Sequence, residues 1–245
     1  MESTNSVSEM KTQMEFAVEM NSPCCVEKVK NAIKSFAGLN VLSIDLPAQR
    51  VVIEGDVVAE VVKDAIEEKT GLSTVVLGQG SEENLGAGIA AVSVGSSGVR
   101  GLLRWVQNKS NTCVIEGTLD SLPASKPIFL SVHECGDLSN GCENCGSLLT
   151  TDQGFNGVLS RLSPNDNQRA EFRVSTSDIK LSDVIGRCVV VHQGDQEEVL
   201  QGKSNRLACG IVARASGLFQ NSKRFCACDG VTIWEQKNAE RSGKL

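Results

Sequence analysis

Residues 14–38 read MEFAVEMNSPCCVEKVKNAIKSFAG, a strand pattern followed directly by a helix pattern. Apolar and polar residues alternate over residues 14–19, which is typical of a half-buried strand. Apolar residues then recur at helical spacing as far as Gly38, at Val26, Val29, Ile33 and Phe36. The pattern therefore predicts a strand and then a helix, with Cys24 and Cys25 at the start of the helix.

The following residues predict the rest of a small domain. Apolar runs at 41–46 and 51–54 indicate two strands, and residues 58–69 have the period of an amphipathic helix. Residues 72–77 indicate a last strand. The order βαββαβ is that of an α+β ferredoxin-like domain, in which two helices pack on one face of a four-stranded antiparallel sheet.

Beyond a polar, glycine-rich stretch the hydrophobic period changes to two and remains there. Short alternating runs predict strands at 89–94, 99–106, 113–119, 128–132, 170–174, 187–191 and 207–213. Such a series, separated by turn residues, predicts an all-β Greek-key sandwich or barrel. Residues 136–168 have little regular pattern, and a loop that long is either functional or pinned to the core.

The predicted organisation has five parts. These are a disordered segment at 1–12, a ferredoxin-like domain at 13–78, a linker at 79–87, a β-barrel at 88–218 and a cysteine-bearing tail at 219–245.

Composition excludes several classes of protein. The net charge of -6 comes without a basic patch, so a nucleic-acid partner is not expected. There is no apolar run long enough for a membrane span, and the polar first residues lack the core of a signal peptide. We therefore expect a cytoplasmic protein. Ten cysteines in a reducing compartment indicate metal handling or redox chemistry.

The tail carries the strongest chemical motif, the sequence RFCACDG at 224–230. Cys226 and Cys228 share one side of an extended backbone, roughly 7 Å apart, and a tight turn would bring both sulfurs onto one ion. Thiolates favour Cu(I) and zinc over hard cations. The alternative is a pair of free cysteines without a shared role.

Three further segments resemble Cu/Zn superoxide dismutase, namely GDLSNGC at 136–142, DVIGR at 183–187 and RLACG at 206–210. With the βαββαβ domain in front and CACDG at 226–230 behind, the chain resembles the copper chaperones for superoxide dismutase over about residues 14–245. The resemblance implies a copper-binding first domain, a barrel that docks on Cu/Zn superoxide dismutase as a heterodimer, and a tail that delivers Cu(I) and promotes disulfide formation in the target. It also implies a homodimer when the chaperone is free.

The resemblance assigns roles to particular cysteines. Family carrier domains use Met-x-Cys-x-x-Cys, and this chain places Ser22 on the first ligand position and Cys25 on the second, with Cys24 as an extra thiol. We therefore expect Cu(I) to be held mainly by Cys226 and Cys228, with Cys24 or Cys25 as a further ligand.

Other positions that match the family are assigned structural roles. Cys142 and Cys209 fall on its intradomain disulfide, which would pin the long loop, and Arg206 is expected to brace that loop by hydrogen bonds. Met20 and three other cysteines are interpreted as packing residues, at Cys113, Cys135 and Cys188. The docking face is expected near residues 114–118 and 210–219.

The histidine count argues against dismutase activity. Only His133 and His192 are present, both on dismutase copper-ligand positions, and residues 147–152 contain no histidine. Zinc binding and dismutation are therefore not expected, and both histidines are interpreted as partly buried and hydrogen-bonded to the backbone. We expect no enzyme activity apart from disulfide transfer to the target. Two alternatives remain: a copper-independent thiol–disulfide oxidoreductase, or a non-catalytic dismutase-binding module.

Overall fold

The computed structural model describes residues 11–108, 111–221 and 232–241. These residues form two compact units. One comprises residues 80–215, and the other comprises residues 11–79 together with the described parts of 216–245. No helix among the described residues is both long enough and apolar enough to cross a membrane.

The first unit has the predicted ferredoxin-like fold. Its elements are β1 (Thr12–Val18), α1 (Pro23–Ile33), β2 (Asn40–Asp45), β3 (Arg50–Gly55), α2 (Ala59–Thr70) and β4 (Thr74–Gly80). The strands form one sheet in the order β2-β3-β1-β4, and β3 pairs antiparallel with both β1 and β2. The first strand begins at Thr12, so the predicted disorder does not extend to that residue.

Apolar side chains at the predicted periods build the core of this unit. The helices contribute Val29, Ile33, Val62 and Ile66, and the sheet contributes Met14, Phe16, Val51 and Ile53. Helix α2 ends at Gly71, whose φ of 70° is a left-handed conformation that glycine adopts without strain. The sheet and helices thereby fix the loop between β1 and α1 and the first turn of α1, where Cys24 and Cys25 lie.

The second unit is the predicted all-β sandwich. Its strands are β5 (Ala87–Val92), β6 (Arg100–Gln107), β7 (Cys113–Asp120), β8 (Ile128–Val132), β9 (Val158–Leu162), β10 (Ala170–Thr176), β11 (Cys188–Gln193), β12 (Asn205–Ile211) and β13 (Ala213–Ala215). They form two sheets, ordered β10-β7-β6-β5-β13 and β12-β11-β8-β9. The core includes Leu103, Trp105, Ile115, Leu119, Leu130 and Val189.

Short helical segments interrupt the sandwich. They are a 3₁₀ turn at Glu143–Cys145 and the helices α3 (Leu181–Val184) and α4 (Gln196–Leu200). Strand β9 lies inside the stretch that we predicted to be irregular. Four of its five residues are partly or fully exposed, so its sequence lacks the alternation that revealed the other strands.

The C-terminal region contains a helix that the sequence analysis did not predict, α5 (Ile233–Arg241). Thr232 and Glu235 form a reciprocal cap at its start: the Glu235 amide donates to Thr232 Oγ1 over 3.1 Å, and the Thr232 amide donates to the Glu235 carboxylate over 2.8 Å. This capping box defines the first turn of the helix. The predicted tail at 219–245 therefore contains a helix.

Candidate copper-handling site

The loop between β1 and α1 presents the first group of candidate ligands. Ser22 has an extended backbone and precedes Pro23, which occupies the first turn of the helix, where its missing N–H is no loss. Cys24 and Cys25 follow in that turn, Cys24 exposed and Cys25 partly exposed. Met20 is buried in the core, as expected.

Ser22 interacts with Cys25 rather than capping the helix through a backbone amide. Its hydroxyl lies 3.4 Å from Cys25 Sγ. The pKa of Cys25 is lowered from its usual value, first by this hydroxyl and then by hydrogen bonding to the Asn21 backbone; Lys28 adds a smaller electrostatic effect. Cys25 is therefore readily ionised to the thiolate, the form that binds soft metals and attacks disulfides.

The loop offers one favoured sulfur ligand instead of two. An oxygen occupies the place beside Cys25 where the family motif has a sulfur, and a hydroxyl is a poor ligand for Cu(I). Cys24 is the next residue in the helix, so its side chain is rotated by about 100° from that of Cys25. Within the described ranges, no three His, Cys, Asp or Glu side chains are grouped so that they could hold a metal ion.

The two histidines of the sandwich bind each other. His192 in β11 and His133 just after β8 are each 2% exposed, and their Nε2 atoms are 3.0 Å apart. Ser131 Oγ lies 3.1 Å from the His133 Nε2 and 2.8 Å from the His192 Nε2. His133 Nδ1 donates to the Gly146 carbonyl over 2.9 Å, so its Nε2 is an acceptor in the neutral ring.

Burial keeps both imidazoles neutral. It lowers the pKa of His133 to about 4 and that of His192 to about 3, where the neighbouring His133 adds to the effect. Ser204 Oγ lies 2.8 Å from His192 Nδ1, so every ring nitrogen has a partner. The histidines are hydrogen-bonded, as expected, but they are fully rather than partly buried, and only the bond from His133 Nδ1 goes to the backbone.

A cavity of about 430 Å³ lies beside these histidines. Arg206 from β12 lines it, but its guanidinium donates to the carbonyls of Cys142, Glu143 and Gly146 over 2.7, 3.2 and 2.8 Å. Both terminal nitrogens of the guanidinium are thus used in hydrogen bonds to the long loop, so Arg206 braces that loop, as the sequence predicts.

The structure joins Cys142 to Cys209 in a disulfide, with Cα atoms 5.7 Å apart. This bond ties the long loop to β12. Nearby, Cys145 and Cys188 are buried and hydrogen-bonded to each other, and burial raises both pKa values, that of Cys188 to about 12. Both thiols thus remain protonated, which suits packing rather than exchange with the disulfide.

The prediction of packing fails for one cysteine. Cys113 is fully buried in the barrel core, and its pKa is raised to about 12 by burial, as a packing residue requires. Cys135, in contrast, is exposed. It follows His133 by two residues, just beyond the end of β8, where the strand pattern no longer implies burial.

Cys226 and Cys228, the pair with the strongest sequence signal, lie outside the described residues. The residues on either side, Asn221 and Thr232, are described and belong to the ferredoxin-like unit.

Comparison with known proteins agrees with both halves of the fold. Residues 15–71 match the heavy-metal-associated domain, and residues 99–212 match copper/zinc superoxide dismutase. A copper chaperone for superoxide dismutase from Rattus norvegicus is 36% identical over 94% of this chain and 91% of its own length. The chain belongs to the family of copper chaperones for superoxide dismutase. The Homo sapiens member is 34% identical over the same shares, and a superoxide dismutase 1 copper chaperone from Saccharomyces cerevisiae is 24% identical over 91% of this chain and 92% of its own.

Residues 99–212 match the dismutase itself, whereas the relatives of the whole chain are named as chaperones for that enzyme. In this chain the two histidines of the sandwich bond to each other. The heavy-metal-associated domain fits copper binding.

Sequence reasoning missed two side chains near the candidate ligands of this chaperone. Gln49 donates through Nε2 to the Met20 carbonyl and to Asn21 Oδ1, over 3.1 and 3.2 Å, and accepts from Trp234 Nε1 over 3.0 Å. The sequence identified Pro47-Ala48-Gln49 only as a break between strands. The available signal for the helix that carries Trp234 was the spacing of Thr232 and Glu235.

Proposed function

We propose that this chain carries Cu(I) on thiolate sulfur, docks on Cu/Zn superoxide dismutase as a heterodimer, and delivers the ion there. Cys226 and Cys228 are the main ligands, and Cys25 or Cys24 supplies a further thiol. One observation carries the proposal: both histidines of the chain are occupied by each other and by serines, whereas Cys25 is accessible with a lowered pKa. Sulfur is thus the donor that remains for a metal.

The choice of metal follows from the donors. Two or three thiolates suit Cu(I), which accepts low coordination numbers and soft ligands. Zinc sites are usually tetrahedral, with four histidine, cysteine or carboxylate ligands, and the buried histidine pair cannot contribute to one without breaking its network. Zinc is therefore not part of the proposed function. Thiolate carriage of this kind also requires a reducing compartment, which supports a cytoplasmic location.

The tail would also promote disulfide formation in the target. Once the ion has left, a two-electron oxidant such as dioxygen converts Cys226 and Cys228 to a disulfide. A target thiolate then attacks this disulfide to give a mixed disulfide, and a second target thiol releases the tail as a dithiol. The target loses two electrons and two protons, and the tail gains them. No activity of the chain on other substrates is proposed.

The docking face is narrower than the sequence suggested. Residues 114–118 cannot line it, because they are buried in β7 between β6 and β10. Ile211, at the end of the edge strand β12, is 36% exposed although it is a large apolar residue. We propose that Ile211 contacts the dismutase, and a second copy of this chain in the free homodimer.

A charge at Ile211 tests this face. Ile211→Glu should weaken association with the dismutase at least about tenfold, because an ionised carboxylate would be desolvated in an apolar contact. Association can be measured by analytical ultracentrifugation, with Leu200→Glu, another exposed apolar residue of this unit, as the matched control. If both variants weaken association equally, or if neither weakens it, the assignment of Ile211 to the docking face is wrong.

A copper-independent oxidoreductase is the second candidate, and the Ser22–Cys25 contact favours it because the first domain has lost one sulfur ligand. The experiment adds purified chain, with or without Cu(I), to reduced, copper-free dismutase in the presence of a Cu(I) chelator. We expect dismutase activity only from the copper-loaded chain. Target disulfide formation that is equally fast without copper would favour the oxidoreductase. Tight association with neither effect would leave the non-catalytic binding module.

A further inference from the structure

Residues 216–221 lie along the edge of the ferredoxin-like sheet. The Phe219 amide donates to the Glu15 carboxylate over 2.6 Å, and Asn221 Nδ2 donates to the Leu77 carbonyl over 3.4 Å. Gly78 in β4 lies so close to the Gly217 carbonyl that a side chain there would clash with it. The chain leading to the cysteine motif is therefore seated on this unit.

The chain that follows the motif returns to the same unit as helix α5. Trp234 Nε1 donates to Gln49 Oε1 over 3.0 Å. One turn later Lys237 pairs with Glu67 of α2 over 2.6 Å and also donates to the Thr74 carbonyl. Residues three apart share one face of a helix, so α5 contacts the ferredoxin-like unit through a single face.

Gln49 connects that helix to the loop before the candidate ligands. Its amide oxygen accepts from Trp234, while its amide nitrogen donates to the Met20 carbonyl and to the Asn21 side chain. Met20 and Asn21 directly precede Ser22, whose hydroxyl lies 3.4 Å from Cys25 Sγ. A single side chain thus touches both α5 and the ligand loop.

The backbone of Gln49 is left-handed, with a φ of 53°. Residues with a side chain adopt this conformation only at an energetic cost, whereas glycine adopts it freely. Strained positions persist where the surrounding contacts determine them. The three side-chain hydrogen bonds of Gln49 are such contacts.

We propose that α5 is an intramolecular partner of the ferredoxin-like unit and that Gln49 is the positioning residue that joins this helix to the loop directly before Cys24 and Cys25. Because coupling between two sites is reciprocal, releasing α5 changes the environment of Cys25, and changes at Cys25 alter the docking of α5. The inference goes beyond the proposed function, since it requires neither copper nor a target.

The proposal is tested by measuring the hydrogen-exchange rates of the α5 backbone amides in the metal-free full chain. Gln49→Gly removes all three hydrogen bonds while relieving the left-handed backbone, so the unit should remain folded. One of these three bonds, from Trp234 Nε1, holds α5. We therefore expect the α5 amides to exchange about two- to tenfold faster in this variant. The matched control is Lys30→Ala, which breaks only an exposed pair with Glu27 on α1. Unchanged exchange of α5 in Gln49→Gly would overturn the proposal.

A second variant addresses the positioning role separately. Trp234→Phe keeps an aromatic ring but removes the indole donor to Gln49. We expect faster exchange of α5 together with an at least twofold change in the rate at which iodoacetamide alkylates Cys25. If α5 were released while the alkylation rate of Cys25 remained that of the unmodified chain, Gln49 would not couple the two, and the positioning role would be wrong.

Discussion

At the residue scale, the most consequential position is Ser22. Its oxygen occupies the place where a second sulfur would complete a two-thiolate site with Cys25, at a contact distance of 3.4 Å. The helix start is otherwise intact, with Pro23 in its first turn. The loop and the start of α1 therefore place one sulfur, that of Cys25, beside an oxygen instead of a second sulfur.

Restoring the sulfur should restore the chelate. Ser22→Cys is expected to raise the Cu(I) affinity of the full chain at least about tenfold, since two thiolates would converge on one ion. Competition against a chromophoric Cu(I) chelator measures this. Ser22→Ala is the matched control: it adds no ligand, and it should raise the pKa of Cys25 because the hydroxyl donor is lost. Equal affinities for Ser22→Cys and Ser22→Ala would contradict this description of the loop.

The histidine pair predicts an acid-sensitive barrel. Folding lowers the pKa values of both residues from about 6.5, to about 4 for His133 and about 3 for His192. The unfolded chain therefore binds more protons below pH 6.5, so stability is fully present above that pH and is lost as the pH falls. Two such groups give a slope of the unfolding free energy that increases as the pH falls below 6.5 and approaches about 2.7 kcal/mol per pH unit near pH 5. Urea titrations between pH 7 and 5 measure the slope.

The control for that titration is a chain without titratable imidazoles. A double variant, His133→Gln with His192→Gln, should lose the slope even if it is less stable overall. A free energy of unfolding that is independent of pH between 6.5 and 5 in the unaltered chain would contradict the buried, neutral pair.

Residue roles differ in how far the sequence could predict them. The missing ligand at Ser22 is visible in the motif itself. The mutual bonding of His133 and His192 is not, because it depends on a bulge between Val191 and His192 and on a residue, Ser131, that carries no signal of its own. Gln49 could not be foreseen, since its role depends on a helix far away in the sequence.

At the element scale, the disulfide pins the longest loop of the sandwich to β12. The Cys142–Cys209 bond closes a sequence separation of 67 residues. Closing a loop of this size removes entropy from the unfolded chain worth about 4 kcal/mol. The double variant Cys142→Ser, Cys209→Ser should lower the free energy of unfolding by an amount of this order.

Cys135→Ser provides the comparison for the disulfide, because it removes an exposed thiol that forms no such bond. Thermal or urea unfolding of the oxidised proteins measures the difference. A double variant as stable as Cys135→Ser would show that the loop is held by Arg206 and its other hydrogen bonds alone.

Hydrophobic period identified most of the elements but not all of them. Most strands of both units alternate because one face of each is buried, so the strands between residues 12 and 132, and those at 170–176, 188–193 and 205–211, agree with the predicted bounds to within a few residues. Strand β9 lacked that alternation because it is largely exposed. Helix α5 was missed because its sequence is polar, and only its capping box marks its start.

At the scale of the whole molecule, the chain combines a dismutase fold with thiol chemistry. The sandwich retains the dismutase architecture, yet its two histidines bond to each other. The ferredoxin-like unit presents the thiol of Cys25, whose pKa is lowered, and includes the described residues on either side of the terminal motif. On this account the barrel recognises the target, and the thiols at 226 and 228 carry the ion.

The most direct test replaces both of those thiols. The chain with Cys226→Ser and Cys228→Ser, supplied with equimolar Cu(I), is incubated with reduced, zinc-loaded, copper-free dismutase, and the initial rate at which dismutase activity appears is compared with that of the unaltered chain and of Cys135→Ser. The account predicts a rate at least about tenfold lower for the double variant and an unchanged rate for Cys135→Ser. A double variant that matures the dismutase at the full rate would contradict it.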